Sequence, residues 1–444
     1  MNVNVIGAGL AGCEAAWQLA KRNVNVRLFE MKPKKFSPAH KDKNFAELVC
    51  SNSLKANRIE SAAGLLKEEM RMLGSLILDC ADQTTVPAGG ALAVDREKFA
   101  ELVTQKIKEN PLIEAVEGEI KEIPDDSITI IATGPLTSDI LADKIAGICG
   151  GFLSFYDAAS PIVEASSVDM SRAFTASRYD KGGESDYINC PMNKEEYEIF
   201  YDALVSAESA PLHEFDKIDS SNESQNKKIK VYEGCMPIEI MAKRGKDTIR
   251  FGPLKPVGLR DPKTGHRPWA VVQLRKENRE GSLYNLVGFQ TNLKFGEQKR
   301  VFSLIPALHD AEFIRYGVMH RNTFINSPKI LEKDFSMKDN SKIFFAGQIT
   351  GVEGYIESAS SGLIAGINAY NKLNSLESFV LSNETMIGAL TCHVSQSFSQ
   401  DFQPMGANFG ILPSIEPHIK DKQERYKALA ERSINVLKNY ILTI

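Results

Sequence analysis

The opening thirty residues, MNVNVIGAGLAGCEAAWQLAKRNVNVRLFE, restrict the fold more than any other stretch. Val3 to Ile6 is a short apolar run suited to a buried strand, and Gly7, Gly9 and Gly12 form G-x-G-x-x-G at the turn leaving it. Ala11 to Arg22 has helical spacing with Ala15, Ala16, Leu19 and Ala20 on one face, and Val24 to Phe29 gives a second strand that Glu30 closes. In such a unit one glycine permits the tight turn, one lets the backbone approach a pyrophosphate, and one lets helix and strand lie close. Phosphates then rest on the unpaired N–H groups at the helix start, here around Ala8, Leu10 and Ala11. An acidic group at the end of the second strand, Glu30 here, accepts from a ribose 2′-hydroxyl. Strand, helix, strand and acid arrive in register, so the stretch predicts dinucleotide binding; the alternative is a structural Gly-rich turn in another α/β protein.

At 444 residues the chain exceeds one ordinary core, and two or three domains are expected. A composition of 43% hydrophobic and 25% charged residues is that of a globular protein. The apolar start lacks a basic leader and is cut by glycines, which speaks against a signal peptide, and no apolar run is long enough for a membrane span. The seven cysteines, at 13, 50, 80, 149, 190, 235 and 392, are odd in number and form no C-x-x-C pair. That pattern argues against a disulfide framework and against a metal site, and favours a cytoplasmic enzyme with thiols. The net charge of −4 excludes a bulk nucleic-acid binder, but basic clusters interrupt the middle of the chain. Lys243, Arg244, Arg260, Arg267, Lys294 and Arg300 are candidates for a phosphate-binding face, and an ordinary solvated surface explains them equally well.

Further strand–glycine junctions follow. Ala62 to Leu78 repeats apolar residues at helical spacing, with Leu65, Leu66, Met70, Leu73 and Leu76 inward. Ile128 to Ala132 reads as a buried strand ending in Thr133-Gly134-Pro135, and Lys342 to Ala346 as another, ending in Gly347-Gln348 and leading past Gly351, Gly354 and Tyr355 into a helix with small inner residues. Between them the texture changes to turns and β-prone runs such as Trp269 to Leu274 and Leu283 to Phe289, with a polar loop at Lys217 to Lys230. The fold class expected is α/β: an FAD-binding, two-dinucleotide-type Rossmann-like domain in two parts, 1–155 and 334–444, with an inserted α+β domain at 156–333.

Two cysteines have unusual neighbours. Cys50 lies among small polar residues just ahead of a helical pattern, where unpaired N–H groups would stabilise a thiolate. Cys235 lies between Gly234 and Pro237, on a turn suited to presenting sulfur to a ligand. Both are also readable as inert thiols, and the histidines show no metal-ligand spacing.

A resemblance extends this reading. GAGLAGCEAAWQLAKR, FAELVCSNSLKAN, VPAGGALAVDR, YEGCMPIEIMAKRG, FGPLKPVGL, LYNLVGFQT, AEFIRYGVMHRNTFINSP and FFAGQITGVEGYIESA run in order over nearly the whole chain. Together they closely resemble the folate- and FAD-dependent RNA uridine-5-methyltransferases, usually called methylenetetrahydrofolate–tRNA-(uracil-5-)-methyltransferases. The resemblance implies FAD, methylenetetrahydrofolate and NADPH or NADH as cofactors and RNA as partner. It gives Cys235 the attack on carbon 6 of uracil, which makes carbon 5 nucleophilic, and Cys50 a proton-handling or shielding role. It places Gly7, Gly9, Gly12, Glu30, Gly347, Gln348, Gly351 and Gly354 on the FAD motif and makes Tyr355 a stacking wall. Asn292, Phe295, Gly406 and the run Thr391-Cys392-His393 depart from the family pattern, with histidine common at the first and tryptophan at the second. The tRNA T-loop is the expected target; a 23S ribosomal RNA uridine, a flavin-linked dithiol/disulfide oxidoreductase and a non-catalytic RNA-binding flavoprotein are the alternatives.

Overall fold

A computed structural model describes residues 2–37, 39–180, 187–210, 236–278, 280–317, 319–396, 402–417 and 419–443. Strand β1 (Asn2–Ile6), helix α1 (Leu10–Ala20) and strand β2 (Asn25–Glu30) reproduce the opening motif within two residues at each end. Val3, Val5 and Ile6 are buried because β1 sits inside a mainly parallel sheet covered on both faces, where strands read as unbroken apolar runs. The sheet has six strands in the order Ser336–Met337, Asn340–Phe345, Thr129–Ile131, β1, β2, Ile113–Glu117. Only the pairing of Ser336–Met337 with Asn340–Phe345 is antiparallel.

The strand order reverses at β1, and open sheets of this kind bind ligands beyond the carboxyl ends at such a point. The register Val5↔Leu28, Val5↔Ile130 and Phe345↔Ile131 brings four of those ends level. Helix Tyr355–Leu373 then lies against α1 with almost no gap: a β-carbon on Gly362 would stand 2.1 Å from the Ala11 carbonyl oxygen. Small residues on both helices make that approach possible, as the inner face of the sequence pattern predicts.

A second six-stranded sheet, antiparallel throughout, is ordered Phe174–Thr175, Tyr187–Met192, Ala270–Lys276, Leu283–Leu286, Ile162–Glu164, Phe313–Arg315. It has its own core, which includes Val163, Leu274, Phe289 and Phe302. The chain passes between the two sheets through an antiparallel ladder of Leu153–Ala158 with Met319–Phe324.

One expectation fails locally. Ala62 to Leu78 is not one helix but two, Ala62–Met72 and Leu76–Gln83. Gly74 takes a φ of +72°, and the Ser75 hydroxyl caps the second helix by accepting from the Leu78 N–H at 3.2 Å. Leu65, Leu66, Met70 and Leu76 are buried as expected, while Leu73, at the break, is only half-buried. The loop expected at Lys217 to Lys230 lies outside the described residues. Among the described residues no helix is long and apolar enough to cross a membrane.

Candidate functional site

The carboxyl ends of the parallel strands open onto a cavity of about 460 Å³, within the size range of small-molecule sites. The three glycines of the first turn divide the work as their spacing predicts. Gly7 has a φ of +99° and a β-carbon there would lie 2.6 Å from the Ala132 carbonyl oxygen. Gly12 sits beneath the turn, where a β-carbon would be 1.8 Å from the Gly7 oxygen, so it serves close helix–strand contact and does not line the cavity. Gly9 is different: a β-carbon would meet nothing within 4 Å and would occupy the space a ligand needs. Ala8, Leu10 and Ala11 line the same wall. Glu30 stands beside them, its carboxylate accepting from the Ala8 N–H at 2.8 Å and the Lys32 N–H at 2.9 Å.

Thr133 and Gly134 follow strand Thr129–Ile131 into the cavity, and Gly347, Gln348, Gly354 and Tyr355 complete it from the returning segment. Gly351 does not line it; a β-carbon there would strike the Phe402 ring at 2.6 Å, so that glycine fits the turn against an aromatic neighbour.

Cys50 lines the same cavity, in surroundings other than those its spacing predicts. Ser53–Ala56 is a strand, and the helix begins only at Ala62, so no helix start faces the sulfur. Guanidinium groups surround the turn instead. Arg96 donates to the Leu48 carbonyl at 2.6 Å, and Arg315 donates to the Val49 carbonyl. Arg275 donates to the Ser51 hydroxyl at 2.7 Å and to the Asn52 carbonyl oxygen of the side chain at 3.1 Å. Glu277 pairs with Arg96 at 2.8 Å. Three cations and one carboxylate leave a surplus of positive charge beside this turn. Arg275 and Arg315 come from the second sheet and Glu277 directly follows the strand of Arg275, so the Cys50 turn is where that sheet grips the first module. Burial lowers the pKa of both Arg275 and Arg315 from the usual guanidinium range.

Tyr355 reaches the same turn from the long helix. Its hydroxyl accepts from the Cys50 N–H at 2.6 Å and the Ser51 N–H at 3.2 Å, and burial pushes the phenol pKa up. Tyr355 lines the cavity, and its hold on Cys50 is not legible in sequence. Neither is Glu357, two residues further on. One of its oxygens accepts from Lys55 Nζ at 2.7 Å and from the Ala407 N–H at 3.0 Å, whereas Oε2 is buried without a hydrogen-bond partner among the described residues. A buried acceptor of that kind on a cavity wall is satisfied when a ligand N–H arrives. Gly406 stands here for lack of room, since a β-carbon would lie 3.0 Å from the Glu353 oxygen. His40 also lines the cavity, and burial lowers its pKa to about 4.

Cys235 lies outside the described residues. The described chain resumes at Met236, and the Ile238 N–H donates at 2.7 Å to the carbonyl of Gln290, a residue of the cavity wall. Among the other cysteines, Cys13, Cys80 and Cys190 are buried and Cys149 and Cys392 half-buried. Burial raises the pKa of the Cys80, Cys149 and Cys190 thiols to about 12. Lys243, Arg244, Arg260, Arg267, Lys294 and Arg300 are all exposed. Lys294 pairs with Glu208 at 2.5 Å and Arg300 with Glu297 at 2.6 Å. Asn292 ties two distant segments together, its side-chain amide donating to the Ala210 carbonyl at 3.1 Å. Thr391, Cys392 and His393 lie on helix Met386–Gln396, away from the cavity wall.

The family model described as glucose inhibited division protein A matches residues 2–377. A methylenetetrahydrofolate–tRNA-(uracil-5-)-methyltransferase TrmFO of Acetivibrio thermocellus is 60% identical over 440 residues, covering 99% of this chain and 98% of the relative. The protein of the same name from Bacillus licheniformis is 57% identical over 443 residues, covering 100% of this chain and 99% of the relative. Among solved structures, GidA of Aquifex aeolicus superposes with a TM-score of 0.70 at 16% identity, covering 99% of this chain and 73% of that one, which speaks for the fold.

Proposed function

Since the chain belongs to the family of methylenetetrahydrofolate–tRNA-(uracil-5-)-methyltransferases, within the wider glucose inhibited division protein A family, we propose that it methylates carbon 5 of a tRNA uridine, in the T-loop, with methylenetetrahydrofolate as carbon donor. The observation that carries this reading is one cavity with the dinucleotide-type turn on one wall and Cys50 on another. Residues 1–155 and 334–444 form the FAD-binding domain and 156–333 the inserted RNA domain; two separate cores support a division of this kind, with Phe324, Ile325 and Leu331 of the inserted range packing into the first core. FAD fits the first wall: Gly9 leaves room for the pyrophosphate, Glu30 can meet a ribose hydroxyl, and Glu357 offers an unmet acceptor. When bound it would supply the two electrons that take the transferred carbon from the methylene to the methyl level, replenished by NADPH or NADH.

The chain's own groups do the rest. The Cys235 sulfur adds to carbon 6 of uracil, making carbon 5 a nucleophile for the incoming carbon. Cys50 takes the carbon 5 proton, and departure of sulfur restores the ring. Support for Cys235 comes from Ile238, three residues on, which is bonded to the cavity wall through Gln290. Arg96, Arg275, Arg315 and Tyr355 hold the Cys50 turn at that wall. Lys243, Arg244, Arg260 and Arg267 meet RNA phosphates, which position the substrate without reading sequence. The test is incubation of the holoenzyme with tRNA lacking 5-methyluridine, labelled methylenetetrahydrofolate and NADPH. Labelled 5-methyluridine in the T-loop is the expected product, and a covalent adduct between Cys235 and RNA containing 5-fluorouridine is the expected trapped species. Label absent from tRNA and present in ribosomal RNA would redirect the target.

A further inference from the structure

Outside the cavity, the second module carries an aromatic arrangement unlike any other among the described residues. Phe313 and Tyr316 stack with centroids 5.6 Å apart and planes 12° from parallel, and Tyr316 stacks on Phe295 at 5.1 Å and 17°. Every other aromatic pair among the described residues is tilted by 30° or more. Tyr316 has a ring on each side, whereas Phe295 has one neighbour and is 55% exposed. The core does not require it: helix Phe295–Phe302 buries Gln298, Val301 and Phe302, and Phe295 stands at its first position on the outside. A large aromatic ring left open at the end of a stack, with Ile314 between Phe313 and Tyr316 in sequence also 56% exposed, marks a contact surface.

Resting on RNA as the substrate, we propose that Phe295, backed by Tyr316 and Phe313, is a platform on which an unpaired base of the RNA loop stacks while the neighbouring uridine enters the cavity. Unstacked RNA bases are held on aromatic side chains in this way, with little dependence on sequence. The placement suits it. Tyr316 directly follows Arg315, whose guanidinium holds the Val49 carbonyl next to Cys50, and Phe295 lies five residues past Gln290 of the cavity wall. Charge suits it too. Lys299 makes no ion pair among the described residues and lines a groove of about 520 Å³ with Phe313 and Tyr316, so it can meet the phosphate of the stacked nucleotide. Lys294 and Arg300 lie near Phe295 in sequence, and each already faces one carboxylate. Asp310 and Glu312 border the same groove, which makes a pure phosphate trough a poorer fit than one stacked base with one lysine. Phe295, one of the positions that depart from the family pattern, stands on this surface, so its departure bears on RNA contact and leaves the chemistry of the cysteines alone.

The test uses the FAD-loaded full chain, an unmodified tRNA transcript, and the variants Phe295→Ala, Phe295→Leu and Phe295→Trp. Phe295→Ala is expected to weaken tRNA binding and raise the KM for tRNA by about 5- to 150-fold, the loss of one base–aromatic stack. Flavin content, the rate of flavin reduction and turnover at saturating tRNA should stay near those of the parent. Phe295→Leu, which keeps apolar bulk without a ring, should behave like alanine, and Phe295→Trp should bind at least as well as the parent. Unchanged affinity in Phe295→Ala, or parental affinity in Phe295→Leu, overturns the platform. A parent protein that binds tRNA through Phe295 but yields no 5-methyluridine leaves the platform standing and defeats the catalytic reading instead.

Discussion

Replacing Gly9 and Gly12 separately isolates ligand approach from fold within one turn. At Gly9 the backbone has φ −75° and ψ −171°, which any residue adopts, and a β-carbon finds open space. Gly9→Val should therefore fold, with a change in stability below about 1 kcal/mol. The added side chain stands where a pyrophosphate must approach the backbone N–H groups at the start of α1. Loss of one charge-assisted hydrogen bond costs about 1.5–3 kcal/mol, so FAD should bind about 10- to 150-fold more weakly. At Gly12 a β-carbon would fall 1.8 Å from the Gly7 oxygen, so Gly12→Ala forces α1 away from β1 and should destabilise the whole module. The assay is flavin absorbance per chain after gel filtration, paired with a thermal melt of the FAD-free protein. Expected are a colourless, well-folded Gly9→Val and a poorly folded Gly12→Ala. A fully yellow Gly9→Val protein would refute the placement of the phosphates on this turn.

Further outcomes follow from the same contacts. Cys235→Ala should retain FAD and abolish 5-methyluridine formation, checked by nucleoside mass spectrometry; near-parental turnover excludes it as the nucleophile. Arg275→Met removes two hydrogen bonds to Ser51 and Asn52 and should lower turnover at saturating substrates more than it raises any KM, with Arg275→Lys recovering part of it. A purely structural Arg275 would change the melt alone. Glu69 is buried, accepting from the Met386 and Ile387 N–H groups at 2.7 and 2.8 Å, and burial raises its pKa from 4.5 to about 7. Between those values the folded state holds more protons than the unfolded one, so this group makes stability fall as pH rises, by about 3 kcal/mol across the window. Urea unfolding at pH 4.5 to 7 should show that slope flattened in Glu69→Gln, and an identical slope in both proteins contradicts the assignment.

Much of the nucleotide-binding half was legible because its determinants are local. A strand, a turn and a helix adjacent in sequence specify their own geometry, and Gly7, Gly9, Gly12 and Glu30 take the places that their spacing dictates. The single helix expected from Ala62 to Leu78 failed on the same local level, since apolar period carries across a break that Gly74 and Ser75 impose. Cys50 failed for a different reason. Its neighbours in sequence suggested a helix start, but its surroundings are three arginines, a tyrosine and a glutamate drawn from positions 96 to 355.

The sequence by itself determined the parallel sheet with its glycine-rich turn and the family, because periodicity, glycine spacing and motif order are properties of neighbouring residues. Only the tertiary structure decided that Tyr355, Arg96 of one helix and two arginines of the second sheet meet on the Cys50 turn, that Glu357 leaves a buried oxygen unmet at the cavity, and that Phe295 ends an open aromatic stack. Those are contacts between residues tens to hundreds of positions apart, set by the crossing of the chain between its two sheets, and no local pattern encodes them.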